Sequence, residues 1–131
     1  MKRALIIIPT YNEADNAERI IRAVFAQEQN TPHVELNILI VDDNSPDGTA
    51  DIVSNLQSTI GENLHLLSRA GNMGLGTAYV AGFKYGLEKN FDYIFEMDAD
   101  FSHDPEEIPN FLREIKDYDV VLGSRYITGA N

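Results

Sequence analysis

The sequence predicts an α/β fold: an open, mostly parallel sheet with helices on both faces. Short runs of β-branched and other apolar residues alternate along the 131-residue chain with longer stretches in which apolar residues recur at helical spacing. The strand-like runs are apolar throughout, which is typical of parallel strands buried on both faces. With 44% hydrophobic and 24% charged residues and no linker-like stretch, residues 1–131 should form one domain.

Five strands are predicted, each a compact apolar run. They are Ala4–Ile8, Leu36–Val41, Leu64–Ser68, Tyr93–Met97 and Val120–Ser124. Because a helical stretch separates each strand from the next, the connections are crossovers and the strands should run parallel.

Four helices are predicted between and around these strands, at about Ala14–Gln29, Thr49–Ser58 and Gly76–Lys89, with a fourth that opens at Asp104. Asn12 with Asp15 resembles a capping pair for the first helix. The third helix carries small residues, Ala78, Gly82 and Gly86, among its apolar ones, which predicts close packing against the sheet.

The chain is strongly acidic, with 21 Asp and Glu against 10 Lys and Arg and a formal net charge of −11. Binding to a phosphate backbone needs a basic face, so we expect no nucleic-acid partner. The absence of cysteine removes thiolate zinc sites and leaves oxygen and imidazole as metal ligands, which favours Mg²⁺ or Mn²⁺. The apolar run Ala4–Ile8 is too short for a signal sequence or a membrane span, so a soluble chain is expected.

Polar clusters follow three of the predicted strands, at the segments Pro9 to Glu13, Asp42 to Gly48 and Asp98 to Asp104. Ligands of open α/β sheets bind outside the carboxyl ends of the strands, so these clusters should converge on one edge. Within the second cluster, Ser45 or Asp47 suits a helix cap, which favours a structural role.

Asp98-Ala99-Asp100 is the most informative of these segments, because two acids flanking a small residue after a buried strand can point both carboxylates at one cation. A solvated turn is the alternative. Asp43 also follows a strand and could accept hydrogen bonds from a nucleotide, or serve structure alone. Arg125 follows the fifth strand, where its guanidinium could hold a diphosphate oxygen or pair with a nearby acid.

Several common motifs are absent or misplaced. The chain has neither a P-loop sequence nor a G-x-S-x-G elbow. The glycines from Gly71 to Gly76 follow the third strand in the order G-x-x-G-x-G, which indicates a loop and helix start and not a dinucleotide fingerprint. Of the three histidines, His103 falls in a candidate site, as a catalytic group or a helix-start packing residue.

Five motifs, in the same order and with similar spacing, resemble those of family 2 glycosyltransferases, and more narrowly of polyprenyl (dolichyl) phosphate mannose synthases. They are Ile6 to Glu13, Val41 to Thr49, Gly74 to Tyr79, Met97 to Pro105 and Gly123 to Tyr126. The resemblance runs from residue 5 to residue 129. It implies a GT-A type, Rossmann-like domain that transfers mannose, with inversion, from GDP-mannose to a polyprenyl phosphate. Members normally continue beyond this point, so a C-terminally truncated domain is expected.

The resemblance also implies residue roles. Pro9, Tyr11 and Glu13 would line the nucleotide pocket, and Val41 and Asp43 would hold base or ribose. Asp98 and Asp100, with Ala99 between them, would bind ribose and the metal-diphosphate and are the catalytic candidates. Arg125 would contact the phosphates, and Ser102 sits where some members offer another metal ligand. The full-length protein would work at the cytoplasmic face of a membrane.

This chemistry suits a cation held by Asp100 with help from Asp98, because a departing sugar diphosphate carries negative charge. The acceptor phosphate, with a second pKa of about 6, is mostly dianionic at neutral pH and needs little help from a base such as Asp98, Asp104 or His103. Since both substrates are anionic, this acidic fragment alone is expected to bind donor weakly and turn over poorly.

Three alternatives stay open at this point. The donor could be UDP-glucose or another sugar nucleotide. Asp98 to Ser102 also resembles the D-x-D-x-[TV] signature of haloacid-dehalogenase-like phosphohydrolases, although there the motif follows the first strand. A nucleotide-binding module without transfer chemistry is the third.

Overall fold

The computed structural model describes residues 1–71 and 74–114 of the chain, and the backbone of two short strands at 120–122 and 125–127. The strands are Lys2–Thr10 (β1), Val34–Asp42 (β2), Leu64–Ser68 (β3), Tyr93–Glu96 (β4), Val120–Leu122 (β5) and Arg125–Ile127 (β6). The α-helices are Ala17–Phe25 (α1), Thr49–Ile60 (α2), Leu75–Glu88 (α3) and Ile108–Glu114 (α4). Two 3₁₀ turns cover Ala26–Asn30 and Pro105–Glu107.

The strands form one sheet in the order β3-β2-β1-β4-β5-β6. The first five pair in parallel, and β6 pairs antiparallel with β5. The prediction of an open, mostly parallel sheet is confirmed, but β6 was not predicted, because three residues are too few to show a strand period. Gly123 and Ser124, the end of the predicted fifth strand, lie outside the described residues.

Both faces of the sheet are covered by helices, and alternate residues of β1 supply the two cores. Ala4, Ile6 and Ile8 pack with residues of α1, α2 and α4, whereas Leu5 and Ile7 pack with α3. All five side chains are fully buried. No helix in the described part of the chain combines the length and apolar character needed to cross a membrane.

The first helix begins at Ala17, later than the predicted Ala14. The residues predicted as its last turn form the 3₁₀ segment Ala26–Asn30 instead. Asn12 does not cap it: this residue adopts a φ of 57° and its backbone amide donates to the Ser45 hydroxyl. Tertiary hydrogen bonds to the segment before α1 therefore override the local capping preference. The fourth helical region does open as predicted, with Asp104 accepting from the Glu106 amide.

Helix α3 lies close to the sheet because glycines face it. A Cβ placed on Gly82 would lie 2.5 Å from Ile7 Cγ2, and one on Gly86 would lie 2.8 Å from Ile94 Cδ1. The predicted close packing of this helix is confirmed.

The Gly82→Ala variant is expected to lower the free energy of unfolding by about 1–3 kcal/mol, because the added methyl group overpacks the core at Ile7. Gly76→Ala, in the same helix but with no atom near its Cβ position, should be neutral or slightly stabilising. Urea denaturation of both variants measures the difference. Equal stabilities would contradict the close approach described for α3.

A half-buried histidine on β3 links the sheet to α3. The Tyr85 hydroxyl lies 2.8 Å from His65 Nδ1, and His65 Nε2 lies 3.1 Å from Asn37 Oδ1. Since Asn37 donates its amide to Glu35, its oxygen faces the histidine, so Nε2 carries the proton and Nδ1 accepts from the tyrosine. Burial, and then the charges of Arg3 and Lys89, lower the pKa of His65 below its usual 6.5.

The unfolded chain therefore takes up a proton at His65 at a higher pH than the folded chain does. The stabilisation from neutral His65 is complete above about pH 6.5 and is lost as the pH falls toward its lowered folded pKa. The free energy of unfolding, measured from pH 8 to pH 5, should fall more steeply for the wild type than for His65→Gln. His33→Gln, which replaces an exposed histidine, should keep the wild-type slope. Parallel curves for wild type and His65→Gln would refute this account.

Candidate functional site

A cleft of about 530 Å³ opens at the carboxyl edge of the sheet, a volume typical of small-ligand sites. Because β1 lies between β2 and β4, the loops that follow these three strands are neighbours. The cleft is lined by Pro9, Thr10, Tyr11, Glu13, Asp43, Gly74, Leu75, Ala78, Asp98, Ala99 and Asp100. Seven predicted site residues thus meet there: Pro9, Tyr11, Glu13, Asp43, Asp98, Ala99 and Asp100.

Of the three other predicted residues, two have described side chains, and these do not line the cleft. The Val41 side chain is fully buried and packs in the core beneath it, so it offers no side-chain contact to a ligand there. Ser102 donates its backbone amide to Asp100 and its hydroxyl to Asp98. The backbone of Arg125 begins β6, but its side chain lies outside the described residues.

The loop after β2 holds the loop after β1 in place. Three successive backbone amides of the first loop donate to side chains of the second: Asn12 to Ser45 Oγ at 2.9 Å, Glu13 to Thr49 Oγ1 at 3.1 Å, and Ala14 to Asp47 Oδ2 at 2.9 Å. Hydrogen bonds from the Thr49 hydroxyl and then the Ala14 amide lower the pKa of Asp47. The segment is structural, but not as the predicted helix cap: the N-cap of α2 is Gly48, with no side-chain cap hydrogen bond. Ser45 and Asp47 instead accept from the first loop and fix the backbone that carries Tyr11 and Glu13.

Asp43 is held by an arginine that sequence analysis did not select. Arg69, the residue after β3, places Nε 2.6 Å from Asp43 Oδ1 and Nη2 2.9 Å from Oδ2. Both side chains are buried, with 9% and 7% of their surfaces exposed. The same guanidinium donates to Thr77 Oγ1 and to the Gly74 carbonyl oxygen. Asp43 therefore lines the cleft as the acidic partner of a bidentate ion pair.

Asp98 is oriented by hydrogen bonds to both carboxylate oxygens. The Tyr79 hydroxyl donates to Oδ1 at 2.9 Å, and the Ser102 hydroxyl donates to Oδ2 at 3.1 Å. The backbone amide of Asp98 donates to His103 Nδ1. Burial, and then Asp98 as acceptor, raise the pKa of Tyr79, so the hydroxyl stays protonated as a donor. His103 is thereby used in the loop, consistent with the packing interpretation.

Asp100 is exposed at the rim of the cleft. Hydrogen bonds from the Ser102 side chain and then from its backbone amide lower the pKa of Asp100, so this carboxylate is ionised at neutral pH. The turn from Asp100 to Ser102 is unusual, because Phe101 adopts a φ of 64°, which is rare for a bulky side chain. Arg19 of α1 lies 4.8 Å from the Phe101 ring centre, a contact that helps hold the turn.

The local field of the cleft is strongly negative. Glu13, Asp43, Asp98 and Asp100 all line it. Half-buried Glu96, at the end of β4, has its pKa raised to about 7 by burial and then by the charge of Asp98. Two carboxylates that are close and only partly compensated attract a cation.

The residues present suit a hard divalent cation. In the described residues no group of three His, Cys, Asp or Glu side chains comes together as a ligand set. Asp98 and Asp100, which line the same cleft, would supply two carboxylate ligands. Mg²⁺ and similar ions are commonly held by one or two carboxylates together with water and substrate phosphates. This donor set fits an ion that completes its coordination with a phosphorylated ligand.

Sequence reasoning missed Arg69, Tyr79, Gly74 and Leu75 as parts of the site. Tyr79 lies within a quoted motif and Arg69 directly follows a strand, as site residues of such sheets do. Gly74 has a φ of 96°, which only glycine adopts readily, and it places the start of α3 against the cleft. The Asp-Ala-Asp segment follows β4, unlike the phosphohydrolase motif, which follows a first strand.

Comparison with known proteins gives consistent results. Residues 5–131 match the model of Glycosyl transferase family 2. An undecaprenyl-phosphate mannosyltransferase of Micrococcus luteus is 42% identical over 127 residues, covering 97% of this chain and 50% of that protein. A polyprenol monophosphomannose synthase of Mycolicibacterium smegmatis is 42% identical over 129 residues, covering 98% and 47%. The chain thus spans about half the length of the curated relatives it matches.

Among solved structures, a mannosyltransferase from Pyrobaculum calidifontis in complex with GDP-Man and Mn²⁺ matches with a TM-score of 0.56 and 26% identity. The match covers 63% of this chain and 24% of that one, and it supports the GT-A-like, Rossmann-like fold. On the family match across nearly its whole length, the chain belongs to glycosyl transferase family 2.

Proposed function

We propose that this chain forms the donor-binding part of a metal-dependent, inverting glycosyltransferase that moves mannose from GDP-mannose to a polyprenyl phosphate. The observation that carries the proposal is the meeting of Asp98, Asp100, Asp43 and Glu13 in one cleft at the carboxyl edge of the sheet. Family membership, the names of the two curated relatives and the ligands of the structural relative support the same reaction.

The nucleotide would lie against the loop after β1. Pro9, Tyr11 and Glu13 line the cleft there, on a backbone fixed by the loop after β2. Asp43 would accept hydrogen bonds from base or ribose, because a carboxylate oxygen has lone pairs left beyond its bond to Arg69. Val41 would contribute only through the packing beneath this wall.

The diphosphate would lie beside Asp98 and Asp100. A Mg²⁺ or Mn²⁺ ion bound there would offset the negative charge that develops on the departing diphosphate. Asp100 is ionised and exposed, which suits direct ligation. Asp98 is fixed by Tyr79 and Ser102, so its carboxylate is already oriented before a ligand arrives. Arg125 remains a proposed contact to the phosphates, whereas Ser102 would act on the metal site through its hydrogen bonds to Asp98 and Asp100.

A phosphate acceptor suits this site better than a hydroxyl acceptor. A phosphate monoester is mostly dianionic at neutral pH and attacks without a base. His103 Nδ1 accepts from the backbone amide of Asp98, and Asp98 would be a ligand of the cation, so an acceptor that needs no base fits these residues better. A polyprenyl chain is held in a bilayer by its hydrocarbon length, so the full-length protein would act at a membrane surface. We propose the cytoplasmic face, as the family resemblance implies.

A transfer assay tests this function with the protein in its full natural length. With Mn²⁺ present, GDP-mannose and a detergent-dispersed polyprenyl phosphate should give mannose in the lipid extract and free GDP. Asp100→Asn should lower the rate about a hundredfold or more, because it removes a charged ligand from the site where charge develops. Glu62→Gln, an exposed acid before β3 at the opposite edge, should keep the wild-type rate.

The assay separates the alternatives through its substrates. Transfer from UDP-glucose but not from GDP-mannose would contradict the proposed donor. Equal rates with a polyprenol that lacks the phosphate would contradict the proposed acceptor. Full activity of Asp100→Asn, or full activity in excess chelator, would refute the metal role.

A further inference from the structure

The donor cleft poses an electrostatic problem for an anionic ligand. Four carboxylates line it, and the whole chain carries a formal charge of −11. A cation between Asp98 and Asp100 would compensate that side of the cleft alone. Asp43 lies on another wall, at the end of β2, and a bare carboxylate there would repel a sugar diphosphate.

Arg69 offsets the negative charge of Asp43. Its guanidinium binds both oxygens of that carboxylate in a side-by-side pair, at 2.6 and 2.9 Å. Both side chains are more than nine-tenths buried, so solvent and salt screen the pair little. Arg69 does not itself line the cleft but touches two residues that do, Asp43 and Gly74.

Arg69 is also fixed from behind. Its backbone amide donates to the Asp42 carbonyl oxygen at 2.8 Å, and its Nη1 donates to Thr77 Oγ1 at 3.0 Å. These contacts tie the guanidinium to β2, β3 and the first turn of α3. Its charge is therefore held beside Asp43 by contacts within the protein.

We infer that Arg69 is a positioning residue for donor binding: it cancels the charge of Asp43, so that the carboxylate can face an anionic nucleotide sugar as an acceptor without repelling it. This role rests on the proposed function. The inference assigns to Arg69 an effect on phosphate-bearing ligands in particular, beyond its effect on stability.

Titration of GDP-mannose into the protein in its full natural length, in the presence of Mn²⁺, tests the inference. Arg69→Gln, which removes the charge, should raise the Kd about tenfold or more. Arg69→Lys keeps the charge but loses the fork to Asp43, Thr77 and Gly74, and should stay within about threefold of wild type. Arg22→Gln removes a cation from the exposed face of α1, where it pairs with Glu18, and should leave the Kd unchanged.

Guanosine provides the readout that a purely structural role would not produce. It carries no phosphate, so its Kd should change less than threefold in Arg69→Gln. An equal rise in the Kd of guanosine and of GDP-mannose would show that the substitution disrupts the structure of the cleft, and it would overturn the inference. An unchanged Kd for GDP-mannose would also overturn it. If Arg69→Gln does not fold, Arg69→Lys decides: a tenfold weakening there would also overturn it. Failure of the wild type to bind GDP-mannose would contradict the proposed function itself.

Discussion

The site depends on one constraint, the parallel pairing of β1 with both β2 and β4. In that pairing Thr10 lies opposite Asp42, and Ile7 lies opposite Glu96, so the three strands end at the same edge. Polar residues follow the end of each of these strands within two positions. Acids that are distant in sequence, from Glu13 to Asp100, therefore line one cleft.

Pairing of strands brings the loops together, but side chains set their final positions. The Ser45 and Thr49 hydroxyls and the Asp47 carboxylate accept hydrogen bonds from three backbone amides of the loop after β1. Asp98 is positioned by two donors, the Tyr79 hydroxyl from α3 and the Ser102 hydroxyl from its own loop. These bonds satisfy polar groups that a bent loop would otherwise leave unpaired, so the residues that fold the loops also shape the cleft.

The sequence predicts those features that depend on period and on order along the chain. The five parallel strands, the close packing at Gly82 and the position of Asp98 and Asp100 after β4 follow from such patterns. The pairing of Asp43 with Arg69 does not, because it requires the register of β2 with β3, in which Asp42 lies opposite Ser68. Tyr79 likewise reaches Asp98 only through the rotation of α3 on the sheet, and the start of α1 is set by tertiary hydrogen bonds to Asn12 and Ala14.

The central claim is that the acids at this edge hold a sugar nucleotide together with a hard cation. Paramagnetic broadening by Mn²⁺ in the presence of GDP tests it most directly, since the amide signals of residues near the ion disappear first. The account predicts loss of the signals of Asp98 and Asp100, followed by those of Glu13 and Asp43, while Glu62 at the opposite edge stays sharp. Broadening centred elsewhere, or none that depends on GDP, would contradict it.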